Sequence, residues 1–152
     1  MSVKIDLVKG ISQSQVQELL IYSKTDSQVI KNTHDTERFK NLESFKAWRP
    51  GKTIYILSDE RKRLLGIIWF EKKKIPEVPG IHYTFAIRTY RPIRGKGYAE
   101  KFMQKAFDDF GRQKGFWLST RKDNSTAIKL YEKFGFKMVN SKENRIIMVL
   151  EG

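Results

Sequence analysis

Six consecutive residues, Arg94-Gly95-Lys96-Gly97-Tyr98-Ala99, set two glycines and two cations directly ahead of a strongly amphipathic stretch. Glycine adopts backbone angles closed to other residues and lets a ligand approach the main chain. The first N–H groups of a helix lack intrahelical partners, and the helix dipole adds partial positive charge there. Such a turn suits a phosphate, with Arg94, Lys96 and Lys101 adding full charges. An ordinary glycine-rich turn with a surface lysine has the same short spelling, so the motif alone leaves both readings open. It is not a P-loop, because no Gly-Lys-Ser/Thr follows. Nor is it the dinucleotide fingerprint, because Glu100 stands where the third glycine would fall.

A second group runs from Asn124 through Ala127, Leu130 and Tyr131 to Gly135 and Phe136. It reads as an amphipathic helix capped by Asn124, with Ala127, Ile128, Tyr131 and Phe134 inward and Gly135 at its end. Packing explains most of these residues. It does not explain an inward tyrosine, whose hydroxyl needs a partner.

The elements that must position these groups follow from periodicity. Residues 3–8 alternate as a strand, and Ser12 or Ser14 caps a helix carrying Val16, Leu19 and Leu20. Residues 24–41 read as a polar, mobile connection with a helical turn at most. Residues 42–48 form a short helix stopped by Pro50-Gly51. Residues 53–57 and 64–70 make a hairpin, and 82–89 a further strand stopped by Pro92. Ala99, Phe102, Met103, Ala106, Phe107 and Phe110 share one helix face. Residues 116–120 return as a strand, and 136–139 with 146–150 close as a hairpin. The strand–helix–strand passage over 82–120 implies a parallel pair in an otherwise mostly antiparallel sheet, with helices on both faces.

Composition bounds the function. A chain of 152 residues fits one domain, residues 1–152. With no cysteine, disulfides, thiolate metal sites and a cysteine nucleophile are excluded, and no metal is expected. Charged residues interrupt every apolar run, so no membrane span is expected; Met1 to Asp6 lack the apolar stretch of a secretory leader, and the lack of cysteine fits a cytoplasmic location. The net charge of +13 attracts anions: nucleic acid, acidic membranes or a polyphosphate cofactor. A solvated, soluble surface accounts for it equally. Arg61-Lys62-Arg63 and Lys72-Lys73-Lys74 read as hairpin loops or strand ends.

The two motifs together resemble those of the GCN5-related N-acetyltransferase (GNAT) superfamily. Arg94, Gly97 and Ala99 match its pyrophosphate motif, Q/R-x-x-G-x-G/A. Asn124, Ala127, Leu130, Tyr131, Gly135 and Phe136 match its later N-x-x-A-x-x-L-Y-x-x-x-G-F pattern. The specific resemblance covers about residues 81–137, and residues 1–80 agree only in element order. It implies an α/β GNAT fold with one splayed parallel pair, and acetyl transfer from acetyl-CoA to a primary amine. It also implies cofactor contacts by Ile87, Arg88 and Thr89 along the splayed strand. Gly95, Lys96, Gly97, Tyr98, Ala99 and Glu100 then wrap the pyrophosphate beside Arg94, and Asn124 touches the cofactor.

By the same resemblance Tyr131 protonates the departing thiolate, and a backbone N–H near Ile87 polarises the thioester carbonyl. The base is less clear, because Ser119 stands where some peptide N-terminal relatives carry glutamate. Glu71, Glu77, His82 and Tyr83 are the substitutes, and His82 has the best intrinsic pKa. His82 also reads as an outward strand residue. Asp26, Asp35 and Glu37 either hold a cationic amine or are solvated loop residues. Trp69 and Phe70 either line the acceptor cleft or face a core. The acceptor and its pathway are not legible, and the final hairpin allows a monomer or a homodimer. The competing class is a basic domain that binds acyl-CoA or nucleic acid without catalysis. Nucleic acid is disfavoured because no recognition helix is evident.

Overall fold

The computed structural model describes residues 6–152, so residues 3–5 of the expected first strand lie outside the described residues. Among the described residues a seven-stranded sheet runs in the order β1-β2-β3-β4-β5-β7-β6. Its strands are β1 (Asp6–Lys9), β2 (Lys52–Ser58), β3 (Leu64–Lys72), β4 (Tyr83–Thr89), β5 (Phe116–Arg121), β6 (Lys137–Lys142) and β7 (Arg145–Leu150). β1 with β2, β5 with β7 and β6 with β7 are antiparallel. β4 and β5 are parallel, as the intervening helix requires.

The chain divides into two units. One comprises Met1–Trp69 with Ile87–Tyr98, and the other Phe70–Ala86 with Ala99–Gly152.

In the first unit, α1 (Gln13–Thr25) starts at a reciprocal capping box. Ser12 Oγ accepts from the Gln15 amide, and the Gln15 side chain accepts from the Ser12 amide. Its apolar stripe buries Val16, Leu19 and Leu20. Residues 24–41 do not form the irregular connection read from their polarity. They hold α2 (Ser27–Asn32) and α3 (Asp35–Arg38). Two short helices with a single buried apolar residue between them, Val29, carry no readable periodicity. Asp26 caps the first of them, and a buried ion pair holds Asp35 at the start of the second. α4 (Leu42–Trp48) follows as expected. Phe39, Trp48 and Trp69 meet edge to face at 4.9–6.0 Å. The part of β3 in this unit is buried at every position from Leu64 to Trp69, and Phe70, in the other unit, is buried too. Trp69 and Phe70 are therefore both core residues rather than walls of an open cleft.

In the second unit, α5 (Tyr98–Phe110) buries Phe102, Met103, Ala106 and Phe107, the face its spacing predicts. Phe107 packs on Phe70, Phe85 and Phe116 with ring centroids 4.7–5.0 Å apart. Complete burial of such a side chain contributes about 1.5–3 kcal/mol. α6 (Ser125–Phe134) ends at Gly135, whose φ of 117° suits the left-handed residue that closes a helix. All six residues of β6 are exposed at the edge of the sheet. Among the described residues, no helix is long and apolar enough to cross a membrane.

Candidate functional site

The glycine-rich turn lies in the first unit. The bonds that close it run from the amides of Ile93 and Arg94 to Tyr90 O, and from the Lys96 amide to Ile93 O. The amides of Gly95 and Gly97 take no part in them. Both glycines have left-handed φ, 77° and 82°, and a methyl group built on either meets nothing within 4 Å. The turn thus presents open main chain ahead of α5, on glycines that place no side chain in the way. This fits a phosphate-bearing ligand approaching the backbone.

The charges around the turn are distributed differently from the simple count. Lys96 is exposed, but the Arg94 guanidinium folds back onto Asp26 Oδ2 at 2.8 Å and Thr89 O at 2.9 Å. Asp26 is fully buried and also accepts from the Arg91 amide at 3.0 Å. Burial by itself would raise its carboxyl. The Arg94 contact and the amides of Arg91 and Val29 outweigh burial and hold it below the ordinary carboxylate range.

Asp35 repeats this arrangement. It is fully buried and grips Arg88 through two bonds, Nε–Oδ2 at 2.7 Å and Nη2–Oδ1 at 3.1 Å, and it also bonds Arg38. Burial pushes its carboxyl up, and the two guanidinium groups more than reverse that, so it too is depressed. Asp26 and Asp35 are therefore neither solvated loop residues nor free anions for an amine. Glu37 is exposed. The Arg88 guanidinium lies 4.9 Å from the Trp69 ring centroid. Ile87, Arg88 and Thr89 are half-buried at the end of β4. Next to them Tyr90 is wholly buried, stacked on Tyr22 at 4.2 Å. Its hydroxyl has no hydrogen-bond partner among the described residues, and burial raises its pKa well above the ordinary tyrosine value.

The second motif lies in the other unit. Among the described residues, only Tyr83 and Thr84 of β4 pair with β5, opposite Phe116 and Trp117. Thr84 Oγ1 closes this short ladder with a 2.7 Å bond to Trp117 O. The parallel pairing stops after these two residue pairs, while β5 stays paired with β7 along its whole length from Phe116 to Arg121. Phe85, the first β4 residue beyond the ladder, meets the Tyr131 ring edge to face at 5.8 Å. Phe136 flanks Tyr131 at 6.0 Å. The α6 residues Ala127, Ile128, Leu130, Tyr131 and Phe134 are all half-buried. Asn124 caps α6 through Oδ1 and the Ala127 amide, at 3.4 Å. Tyr98, Ala99 and Glu100 form the first turn of α5, and Glu100 pairs with Lys133 of α6 at 2.9 Å.

Of the base substitutes, His82 precedes β4 by one residue, and its Nδ1 is buried without a hydrogen-bond partner among the described residues. Glu77 is exposed and Glu71 half-buried. Tyr83 packs on Phe110 and Phe116. Ser119 Oγ accepts from Arg145 Nε at 2.9 Å. Among the described residues no three His, Cys, Asp or Glu side chains gather as metal ligands would. Sequence reasoning missed the pairing of Asp26 with the turn. The available signal was a cap residue, Asp26-Ser27-Gln28, at a helix junction, with nothing to name its partner some 65 residues away.

Residues 18–136 match the model of the Acetyltransferase (GNAT) family, and the protein belongs to that family. It is similar to the uncharacterised N-acetyltransferase YycN of Bacillus subtilis, with 33% identity over 92 residues. That match spans 58% of this chain and 57% of the curated relative, a little over half of each. In fold it is similar to the spermidine N-acetyltransferase of Vibrio cholerae, solved with CoA and spermine. The TM-score is 0.72 at 17% identity, covering 95% of this chain and 94% of that one. It is also similar to a GCN5-related N-acetyltransferase from Kribbella flavida, with a TM-score of 0.71 at 13% identity, covering 96% and 98%.

Proposed function

We propose that the protein is an acetyl-CoA-dependent N-acetyltransferase, with residues 1–152 acting as one cytoplasmic domain, as a monomer or a homodimer. The observation that carries this reading is the parting of β4 from β5 after Thr84 and Trp117, with Tyr131 held against Phe85 beside the gap. Separated strands leave main-chain amides in need of partners, and an extended amide-bearing arm supplies them. The open glycine turn supports a pyrophosphate at Gly95, Lys96, Gly97 and the first turn of α5. Ile87, Arg88 and Thr89 offer main chain to the pantetheine arm. Asn124 spends Oδ1 on its cap, which leaves Nδ2 to contact the cofactor.

The cofactor supplies an activated acetyl thioester. The chain's own tasks are three. A backbone N–H at Ile87 donates to the thioester carbonyl oxygen, where negative charge develops. Tyr131 holds a proton at Oη for the departing sulfur. A base takes a proton from the amine, which otherwise stays charged below about pH 10. We assign this to His82 through Nε2, because Nδ1 is sealed from solvent. The acceptor is a primary amine on a small molecule or a peptide. The aspartates that could have attracted a polyamine, Asp26 and Asp35, are committed to arginines.

The test is release of free thiol from acetyl-CoA against lysine peptides, polyamines, aminoglycosides and small amines. Turnover with one amine class is expected. Tight acetyl-CoA binding with no thiol release on any acceptor overturns catalysis in favour of a binding domain. Retention on nonspecific DNA at physiological salt favours a nucleic-acid function instead.

A further inference from the structure

Arg94 and Arg91 flank the segment that leads into the open glycines, and both are bound by one carboxylate from a distant helix junction. Asp26 is itself fixed from both sides. Its amide donates to Tyr22 O at 2.9 Å, and its carbonyl accepts from Ile30 at 3.0 Å. Oδ1 caps α2 through the Gln28 amide, while Oδ2 takes the Arg91 amide and Arg94 Nη2. Arg94 bridges onward to Thr89 O. Between these holds, Tyr90 is clamped on Tyr22 and Ile93 is buried. The part of the turn before Gly95 is thus fastened to α1 and α2, whereas Gly95 and Gly97 are exposed with free space around them.

We infer that Asp26 is a positioning residue for cofactor binding, and that the motif arginine, Arg94, serves as its strut rather than as a phosphate ligand. The carboxylate sets the direction of the Gly95 and Gly97 amides by fixing the chain just ahead of them. Arg94 has its charge balanced by Asp26, so it adds little net attraction for a phosphate. Attraction at the turn then falls to the backbone amides and to Lys96, which is exposed. This rests on the reading of the turn as the pyrophosphate site.

Two roles for Arg94 predict opposite results. If Arg94 binds phosphate, Asp26→Asn frees its charge and acetyl-CoA binds as well as before or better. If Asp26 and Arg94 act as one strut, Asp26→Asn and Arg94→Gln each weaken acetyl-CoA binding by roughly tenfold, the scale of one lost bond to a charged group. The double variant is then no weaker than either single one. The KM for acetyl-pantetheine, which lacks the pyrophosphate, stays within about twofold, and kcat is retained. A merely structural role instead lowers stability and moves both acetyl donors alike. Gly97→Asp is the control, because it places a carboxylate where phosphate must approach.

The measurement is calorimetric affinity of the full chain for acetyl-CoA, with KM for both donors and circular dichroism to verify folding. Loss confined to acetyl-CoA, shared non-additively by Asp26→Asn and Arg94→Gln, establishes the strut. Unchanged or tighter binding by Asp26→Asn, with loss in Gly97→Asp, overturns the strut and keeps the turn. Unchanged binding by Gly97→Asp overturns the turn and the strut together. If Asp26→Asn does not fold, the salt dependence of acetyl-CoA binding by Arg94→Gln decides: a slope equal to wild type supports the strut, and a shallower slope makes Arg94 a phosphate ligand and overturns it. The Arg94 side chain already reaches solvent at 30% exposure, and equal losses for the two donors reject the inference.

Discussion

Asp35→Ala removes a fully buried carboxylate that makes two bonds to Arg88 and one to Arg38. Arg88 is only 14% exposed, so water replaces the lost contacts poorly. Breaking a buried pair by removing one partner costs about 3–5 kcal/mol. In a domain of this size 1 kcal/mol lowers Tm by about 2–4 °C, so the expected drop is roughly 6–20 °C. Arg38→Ala should cost under about 1 kcal/mol, because that side chain is 31% exposed. Asp35→Asn should fall between them, retaining one acceptor oxygen. The assay is urea unfolding across pH. In the native state the carboxyl is depressed, since Arg88 and Arg38 more than offset its burial. Its stabilisation is therefore complete above the unfolded aspartate value near ~3.9 and is lost as pH falls through the lower folded value. The gap between wild type and Asp35→Ala should be constant near neutrality and narrow below about pH 4. An Asp35→Ala protein within about 1 kcal/mol of wild type, with an unchanged urea slope, would refute the argument that this ion pair organises residues 24–41.

Tyr131→Phe keeps the ring packed on Phe85 and Phe136 but removes the proton, so turnover should fall by up to about 10²–10⁴-fold with little change in Tm. Full single-turnover rates with both a poor and a good acceptor would show that another group protonates the thiolate. With a net charge of +13, acetyl-CoA affinity should fall as salt rises from low to moderate concentration, and a flat calorimetric response would assign the charge another role. Ser12→Ala breaks the capping box of α1 and should cost about 1 kcal/mol, read as a Tm drop of roughly 2–4 °C by calorimetry.

Local signals carried much of this protein. The six apolar positions from Ala99 to Phe110 gave α5 directly, because a 3.6-residue repeat has one solution. Asn124 and Gly135 bounded α6 because a cap and a left-handed stop act within one turn. The residues of the two motifs, Arg94, Gly97 and Ala99 with Asn124, Ala127, Leu130, Tyr131, Gly135 and Phe136, carried the resemblance to the family that the match over residues 18–136 shows. What a sequence cannot state is the partner of a charge. Asp26 and Asp35 sit in a polar stretch that reads as solvated, yet both are buried, because Arg94 and Arg88 arrive from far along the chain. Burying a carboxylate becomes tolerable only when a guanidinium is delivered to it, and only the tertiary fold delivers one. The fold also decided that Arg94 turns inward while Gly95 and Gly97 stay open, and that β4 leaves β5 after Thr84 with Phe85 against Tyr131. Each of these depends on contacts between residues distant in sequence, which local periodicity does not encode.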